Sequence, residues 1–454
     1  MVKNRIKFLC NECGFESTKW LGKCPSCGQW NTFVEYKETR VSKHRYNEFE
    51  FSNSIPPQSI AKIEKDKLKR NLTGIYEFDR VLGGGIVPGS VVLIGGEPGI
   101  GKSTLLMQMA YYIANNGAKV LYSSSEESVQ QLSMRANRLN VVNDDLLVCA
   151  EYSVDKIIEY CENIKPSLLV VDSIQTIFDA DSEAQQGSVN SIKLCASKLI
   201  KYAKTSGIPI FIIGHVTKGG IVAGPKILEH MVDSVMYLEG SSNHDFRILR
   251  NAKNRFGSTD EIGLFEMSSD GLKEVKDPGE IFLTKGEIDI SGSVLGLTIE
   301  GSRPIAIEIQ AIASETKYGI PQRSINGPDY KRVNTIIAVL EKRLHLFLGN
   351  QDIFINAVGG IKINDPGIDL AILMAIYSSY SNKIIPKNNV FIGEIGLGGE
   401  IRAVSGIKRR IEEARRFGIN KIFIPYYSRE EIKNSGKIIK CKSVNDLMEC
   451  IKYV

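Results

Sequence analysis

Residues Gly96-Glu97-Pro98-Gly99-Ile100-Gly101-Lys102-Ser103 spell G-x-x-x-x-G-K-[ST], and the flanks of this octet restrict the fold more than any other feature of the chain. Val91-Val92-Leu93-Ile94 before it is a short apolar, β-branched run, which predicts a buried strand. After it, Leu105, Leu106, Met109, Ala110 and Ile113 recur at helical spacing until Asn116-Gly117 ends the helix. A strand, a glycine-rich turn and a helix start aim several backbone N–H groups at one point, where a polyphosphate sits. Residues Gly96 to Thr104 are therefore the expected ATP-binding segment. Lys102 would reach the β- and γ-phosphates, and Ser103 would ligate Mg²⁺.

At 454 residues the chain exceeds one core, and length alone suggests about three domains. No apolar run approaches the roughly 20 residues that span a bilayer, so no membrane segment is expected. The basic start Met-Val-Lys-Asn-Arg-Ile-Lys leads to cysteines rather than to an apolar signal core, which points to a cytoplasmic protein. A net charge of +5 permits an anionic partner without requiring one.

Four of the nine cysteines fall at Cys10, Cys13, Cys24 and Cys27, as two C-x-x-C knuckles each followed by a glycine. Four thiolates in that spacing favour tetrahedral Zn²⁺, with an iron–sulfur cluster as the alternative. A redox dithiol usually comes as one such pair beside a strand–helix junction. A segment this small has no core of its own, so the metal would supply folding energy, typically about 10–16 kcal/mol for structural zinc. Trp20 and Trp30 flank the second knuckle, either as stacking residues for nucleic acid or as the apolar lid of a zinc ribbon, with a lid the safer expectation for at least one. The other cysteines, Cys149, Cys161, Cys195, Cys441 and Cys450, are scattered and read as ordinary buried thiols. From 36 to 70 the chain turns polar and charged, a linker with a short helix expected near 60–69.

An ATPase needs a second half to its Mg²⁺ site and a base. Ser167 to Ser173 is an apolar strand ending in Asp172, the expected acid behind the metal. Between the two motifs, the strand at Lys119–Ser125 ends in adjacent glutamates that could orient the attacking water, Glu126 first and Glu127 second. Ile208 to Ile213 predicts a further buried strand leading to His215 and a glycine-rich loop, Val216 to Gly220. His215 is either a γ-phosphate sensor or a satisfied core histidine.

Leu82-Gly83-Gly84-Gly85-Ile86-Val87-Pro88-Gly89-Ser90, leading into the phosphate loop, resembles the RecA-type ATPases. Lys253-Asn254-Arg255-Phe256-Gly257, with the four-cysteine segment, is similar to the RadA (Sms) family of bacterial DNA repair proteins along nearly the whole chain. The resemblance implies an α/β fold: a RecA-like parallel-sheet ATPase core at 71–275, an N-terminal zinc ribbon at 1–35, and a C-terminal Lon-protease-like α+β domain at 280–454. It further implies a DNA-stimulated ATPase and helicase, a homo-hexamer acting on single-stranded and branched DNA. Such a protein would drive branch migration with a RecA-type recombinase. ATP, Mg²⁺ and Zn²⁺ are the implied cofactors. Lys253 and Arg255 alternate along an extended segment after Phe246–Asn251, so both could cross a subunit boundary as trans-acting catalytic cations. A KaiC-like ATPase or kinase acting on protein, and an adaptor using ATP only for assembly, are the rival readings.

Gly393 to Arg402, Gly406-Ile407-Lys408 and the helix Ile411 to Gly418 resemble the proteolytic domain of Lon. Lon uses a serine–lysine dyad. Lys408 matches the lysine, but Gly367 stands where the serine should follow Pro366, so no nucleophile is present and peptidase activity is not expected. The domain is expected to scaffold a ring and offer a basic surface to DNA. Arg323, Gly327, Asp329 and Arg332 match a family pattern, and Arg402, Lys408, Arg409, Arg410, Arg415 and Arg416 add charge that is either a DNA contact or a solvated helix face.

Overall fold

Val91 to Ile94 is apolar at every position, so a strand there must be covered on both faces. In the computed structural model that strand, β4 (Val91–Gly96), lies near the middle of a nine-stranded sheet. Residues 5–10, 15–26, 28–38, 59, 70–215, 228–240, 246–276, 279, 283, 290–317, 319–419, 421–428, 430, 432 and 438–452 are described. Cys13, Cys27, nearly all of the expected linker with its helix, and the loop Val216 to Gly220 lie outside them. Contacts group the chain into two units, Met1–Glu274 and Val275–Val454.

In the first unit, β1 (Arg5–Cys10), β2 (Glu16–Ser17) and β3 (Phe33–Glu38) form a separate antiparallel sheet, with β1 central. Its small core is Cys10, Cys24 and Phe33, with Phe8 and Leu21 packed against them. Both described knuckle cysteines are thus buried together, while Trp20 and Trp30 are 52% and 67% exposed. Both tryptophans stand outside the described core, which Phe33, Phe8 and Leu21 complete.

Helix α1 (Tyr76–Leu82) precedes β4. Beyond it come α2 (Lys102–Asn115), β5 (Val120–Ser124), α3 (Val129–Arg138), β6 (Leu146–Ala150), α4 (Val154–Ile164), β7 (Leu168–Asp172), α5 (Val189–Ser206) and β8 (Ile210–His215). Strand β9 (Ser234–Gly240) then leads to β10 (Phe246–Asn254), β11 (Ile262–Ser268) and β12 (Gly271–Glu274). The order is β12-β11-β10-β9-β4-β8-β7-β5-β6, parallel from β9 to β6 and antiparallel beyond β9. Side chains alternate between two cores: Val92, Ile94, Val170 and Phe211 meet Leu105, Leu106 and Met109 of α2 on one face. Val91, Leu93, Val171 and Ile212 meet Ile157 of α4 and Ile192 and Leu199 of α5 on the other. Every strand in the parallel stretch runs with its carboxyl end on one edge, where a ligand crevice forms.

The second unit is built on a mixed seven-stranded sheet. Its strands are β13 (Ser293–Glu300), β14 (Arg303–Glu315), β15 (Arg323–Asn326), β16 (Gln351–Ala357), β17 (Asn389–Phe391), β20 (Lys421–Pro425) and β21 (Ile438–Cys441), while β18 (Glu394–Ile395) and β19 (Ile401–Arg402) pair separately. Its helices are α6 (Tyr330–Leu344), α7 (Asp369–Ser381), α8 (Ile407–Arg416) and α9 (Val444–Lys452). Helix α7 is buried from Asp369 through Ile376, which is why it is apolar all round. No described helix is long and apolar enough to cross a membrane.

Candidate active site

Gly96 ends β4, Glu97 to Ile100 form the turn, and Lys102 to Thr104 open α2. Gly101 is the N-cap, with φ of 112°, a backbone conformation that side chains rarely adopt and glycine takes freely. Helices α3, α5 and α6 begin on side-chain caps from Ser128, Ser188 and Asp329. Helix α2 has none, and no acid in its first turn. Its first N–H groups and the positive end of its dipole are left for an anion. Arg247 braces the turn by donating from Nε to the Ile100 carbonyl at 3.1 Å.

The Lys102 ammonium is buried and donates to the carbonyls of Gly96 and Glu97, both at 2.9 Å. Burial pushes its pKa down to about 8, against the attraction of Asp172 and Glu126. It remains a cation at pH 7, waiting on carbonyls that a phosphate would replace.

Asp172 ends β7 and is 2% exposed. Tyr122, wholly buried on neighbouring β5, donates its hydroxyl to Asp172 Oδ2 at 2.8 Å. Burial raises the Asp172 pKa, and hydrogen bonds from Ser103 and Tyr122 oppose that rise. Oδ1 is buried without a hydrogen-bond partner, an arrangement that suits a cation ligand next to Ser103. The residues present fit a Mg²⁺ ion.

Glu126 and Glu127, adjacent in sequence, go to different places. The Glu126 carboxylate accepts from Ser173 Oγ and lies 3.0 Å from His215 Nε2, and ligand atoms of Glu126, Asp172 and His215 all fall within 4.8 Å of one another. The His215 contact is the main cause holding the Glu126 pKa below the ordinary range, against partial burial. Glu127 pairs instead with Arg135 of α3. His215 sits on the cluster at the end of β8, with no hydrogen-bond partner for its Nδ1 among the described residues. Lys102, Ser103, Glu126, Asp172 and His215 thus converge on one edge of the sheet.

The two cations of the Lys-Asn-Arg-Phe-Gly segment differ from the expectation that both project outward. Lys253 lies within β10, and its ammonium donates to the chain's own carbonyls of Glu229 (2.8 Å), Val232 (2.9 Å) and His230 (3.3 Å). Arg255 follows the strand, is 56% exposed, and is held only at 3.4 Å by Asp233, which Lys204 grips more closely at 2.6 Å. Tyr122, Ser173, Arg247 and Asp233 escaped the sequence reading. The strand register supplied the missing signal, since Ser124 pairs with Asp172 and so brings Tyr122 and Glu126 to flank that acid.

In the second unit, the place of a Lon serine is occupied. A Cβ on Gly367 would lie 2.6 Å from Arg410 Nη1 and 2.7 Å from its Cζ. Arg410 is fully buried, pairs with Asp365 at 2.7 Å, and donates to the carbonyls of Ser405 and Leu297. The expectation that Arg410 faces solvent is therefore corrected, because β13 and the 365–369 turn enclose it. Lys408, two residues earlier on α8, is exposed. Of the other charges expected on a basic surface, Arg402 pairs with Glu400 and Arg416 with Glu413, both arginines staying about half exposed, and of the family-pattern residues Arg332 pairs with buried Asp369 and Arg323 with Asn334. Asp329 caps α6.

Three family models match the chain: a rubredoxin metal-binding domain at 8–35, a KaiC ATPase at 72–147, and the Lon protease C-terminal proteolytic domain at 337–453. A DNA repair protein RadA from Halalkalibacterium halodurans is 45% identical over 452 residues, 99% of each chain. This chain belongs to the RadA family. The Bacillus subtilis RadA is 48% identical over 94% of this chain and 93% of its own length. Among solved structures, one ATPase domain overlaps 45% of this chain and 90% of its own at TM-score 0.38 and 15% identity, too distant to weigh. RadA-family membership thus joins a RecA-like ATPase fold to a metal-binding ribbon and a Lon-like domain in one chain.

Proposed function

We propose that this protein is a DNA-stimulated ATP hydrolase and helicase that drives branch migration in homologous recombination and repair. In this reading it is a cytoplasmic homo-hexamer on single-stranded and branched DNA, working beside a RecA-type recombinase. The observation that carries the ATPase part is the convergence of Lys102, Ser103, Glu126, Asp172 and His215 at the carboxyl edge of the parallel sheet. The N–H groups opening α2 bind the phosphates, and Lys102 exchanges its two carbonyl partners for phosphate oxygens. Ser103 and Asp172 would hold Mg²⁺, which neutralises charge on the phosphates. Glu126 orients the attacking water and takes its proton, and Glu127 stays on Arg135. His215, touching Glu126 and ending β8, links the base to the segment that follows it.

Arg255 is the cation available to a neighbouring subunit's γ-phosphate, an effect worth about 10³–10⁵ in rate where such fingers operate. Lys253 holds the Arg255 segment in place from its three carbonyls. Cys10 and Cys24, buried side by side, fit a zinc ribbon completed by Cys13 and Cys27. The Lon-like unit has no peptidase role: its nucleophile position is a glycine capped by Arg410.

ATP turnover measured with and without single-stranded DNA across a salt series tests the reading. A DNA motor shows stimulation that weakens with salt, with a slope of about −0.7 per phosphate contacted. Unchanged turnover at low salt would refute action on DNA and favour a KaiC-like enzyme acting on protein.

A further inference from the structure

The chain has two tryptophans, and both stand on the ribbon with more than half their surface exposed. They do not serve the ribbon's core, which Phe8, Leu21 and Phe33 build with the cysteines. The two indoles converge on Gly22: a Cβ there would lie 3.8 Å from atoms of both rings. The residue between them is glycine, so no side chain of residue 22 stands between the two rings. Backbone pairing sets Trp30 beside the Gly22–Lys23 segment, since Lys23 and Trp30 form an antiparallel bridge and Asn31 donates to the Gly22 carbonyl at 2.8 Å. The Lys23 ammonium sits 5.6 Å from the Trp30 ring centroid, and Lys19 is exposed beside Trp20. Residues 17–32 carry these two lysines and no acid.

We propose that the Trp20–Gly22–Lys23–Trp30 face is a binding site for unpaired nucleic-acid bases, the indoles stacking on a base and the lysines meeting its flanking phosphates. The proposal rests on the DNA-acting reading and adds a contact outside the ATPase core. A π-face flanked by cations and free of acids suits a polyanion with exposed aromatic rings.

The whole protein supplies its own reporter, since all tryptophan emission comes from this face. Titration with poly(dT), followed by tryptophan fluorescence and by anisotropy of a labelled strand, gives quenching that tracks binding. Trp20→Ala/Trp30→Ala weakens binding by roughly 5- to 150-fold, the range for loss of one base–aromatic stack. The Trp20→Phe/Trp30→Phe protein keeps most of the affinity, and Lys23→Gln lowers the salt slope by about 0.7. Anisotropy that saturates while emission stays unchanged would overturn the site and assign the aromatic face to a protein partner. So would undiminished affinity in the double alanine protein. Absence of any anisotropy change would overturn both this site and the DNA-acting reading.

Discussion

Gly367→Ser restores the residue a Lon-type protease would need, yet the structure gives it no room. The added Cβ would lie 2.6, 2.7 and 2.9 Å from three atoms of the Arg410 guanidinium, well inside contact distance. That guanidinium has no exit, since its residue is 0% exposed and tied to Asp365 and two carbonyls. If it shifts with the ion pair intact, the cost is that of overpacking, about 1–3 kcal/mol. If the pair breaks, an uncompensated buried charge costs about 3–5 kcal/mol. With a urea m-value of about 1–3 kcal/mol/M, a loss of about 3 kcal/mol moves the midpoint down by about 1–3 M. Far-UV circular dichroism during urea unfolding, with hydrogen exchange on α7 and β13, measures the effect. No peptidase activity follows, because Lys408 is exposed and the side chain against Gly367 is the Arg410 guanidinium rather than a lysine amine. An unchanged midpoint, or hydrolysis of a peptide substrate by this variant, would refute the packing argument.

The same pair predicts a pH dependence. Burial raises the Asp365 carboxyl, but Arg410 and the Gly367 and Ile299 amides outweigh it, leaving its pKa below the ordinary value. Its contribution is therefore full above the unfolded pKa of about 3.9 and is lost as pH falls through the lower folded value; Asp365→Asn should flatten the acid limb of the stability curve, and an unaltered limb would count against it. Glu126→Gln should cut turnover by about 10²–10⁴ with ATP binding retained, while Glu127→Gln should spare turnover; equal losses in steady-state assays would undo the assignment of the base. Tyr122→Phe removes the donor that fixes Asp172, so the Mg²⁺ concentration for half-maximal turnover should rise about 10-fold or more, and an unchanged Mg²⁺ titration would contradict that. Because Lys102 titrates near pH 8 in the empty site, nucleotide affinity should fall above that pH by up to about tenfold per unit; a flat Kd across the alkaline range in fluorescent-nucleotide titrations would show the ammonium is not the contact.

The octet at Gly96–Ser103, the apolar runs ending in Asp172 and His215, and the paired knuckle cysteines were legible because each is a local pattern. Strand length, helix spacing and turn glycines are fixed by neighbours in the chain. From them came the RecA-like ATPase core and the expectation of where its phosphate contacts and metal-side acid lie. What the chain alone left open was every choice that depends on which strands lie side by side. Glu126 and Glu127 have the same chemistry and adjacent numbers, and only the β5–β7 register with His215 on β8 separates a site carboxylate from the partner of Arg135. Lys253 and Arg255 read as twin cations, yet carbonyls from the turn before β9 hold only the first. Arg410 belonged to a basic run until packing placed it, fully enclosed, against Gly367. A charge's role depends on its solvent access and its partners, and residues distant in sequence decide both.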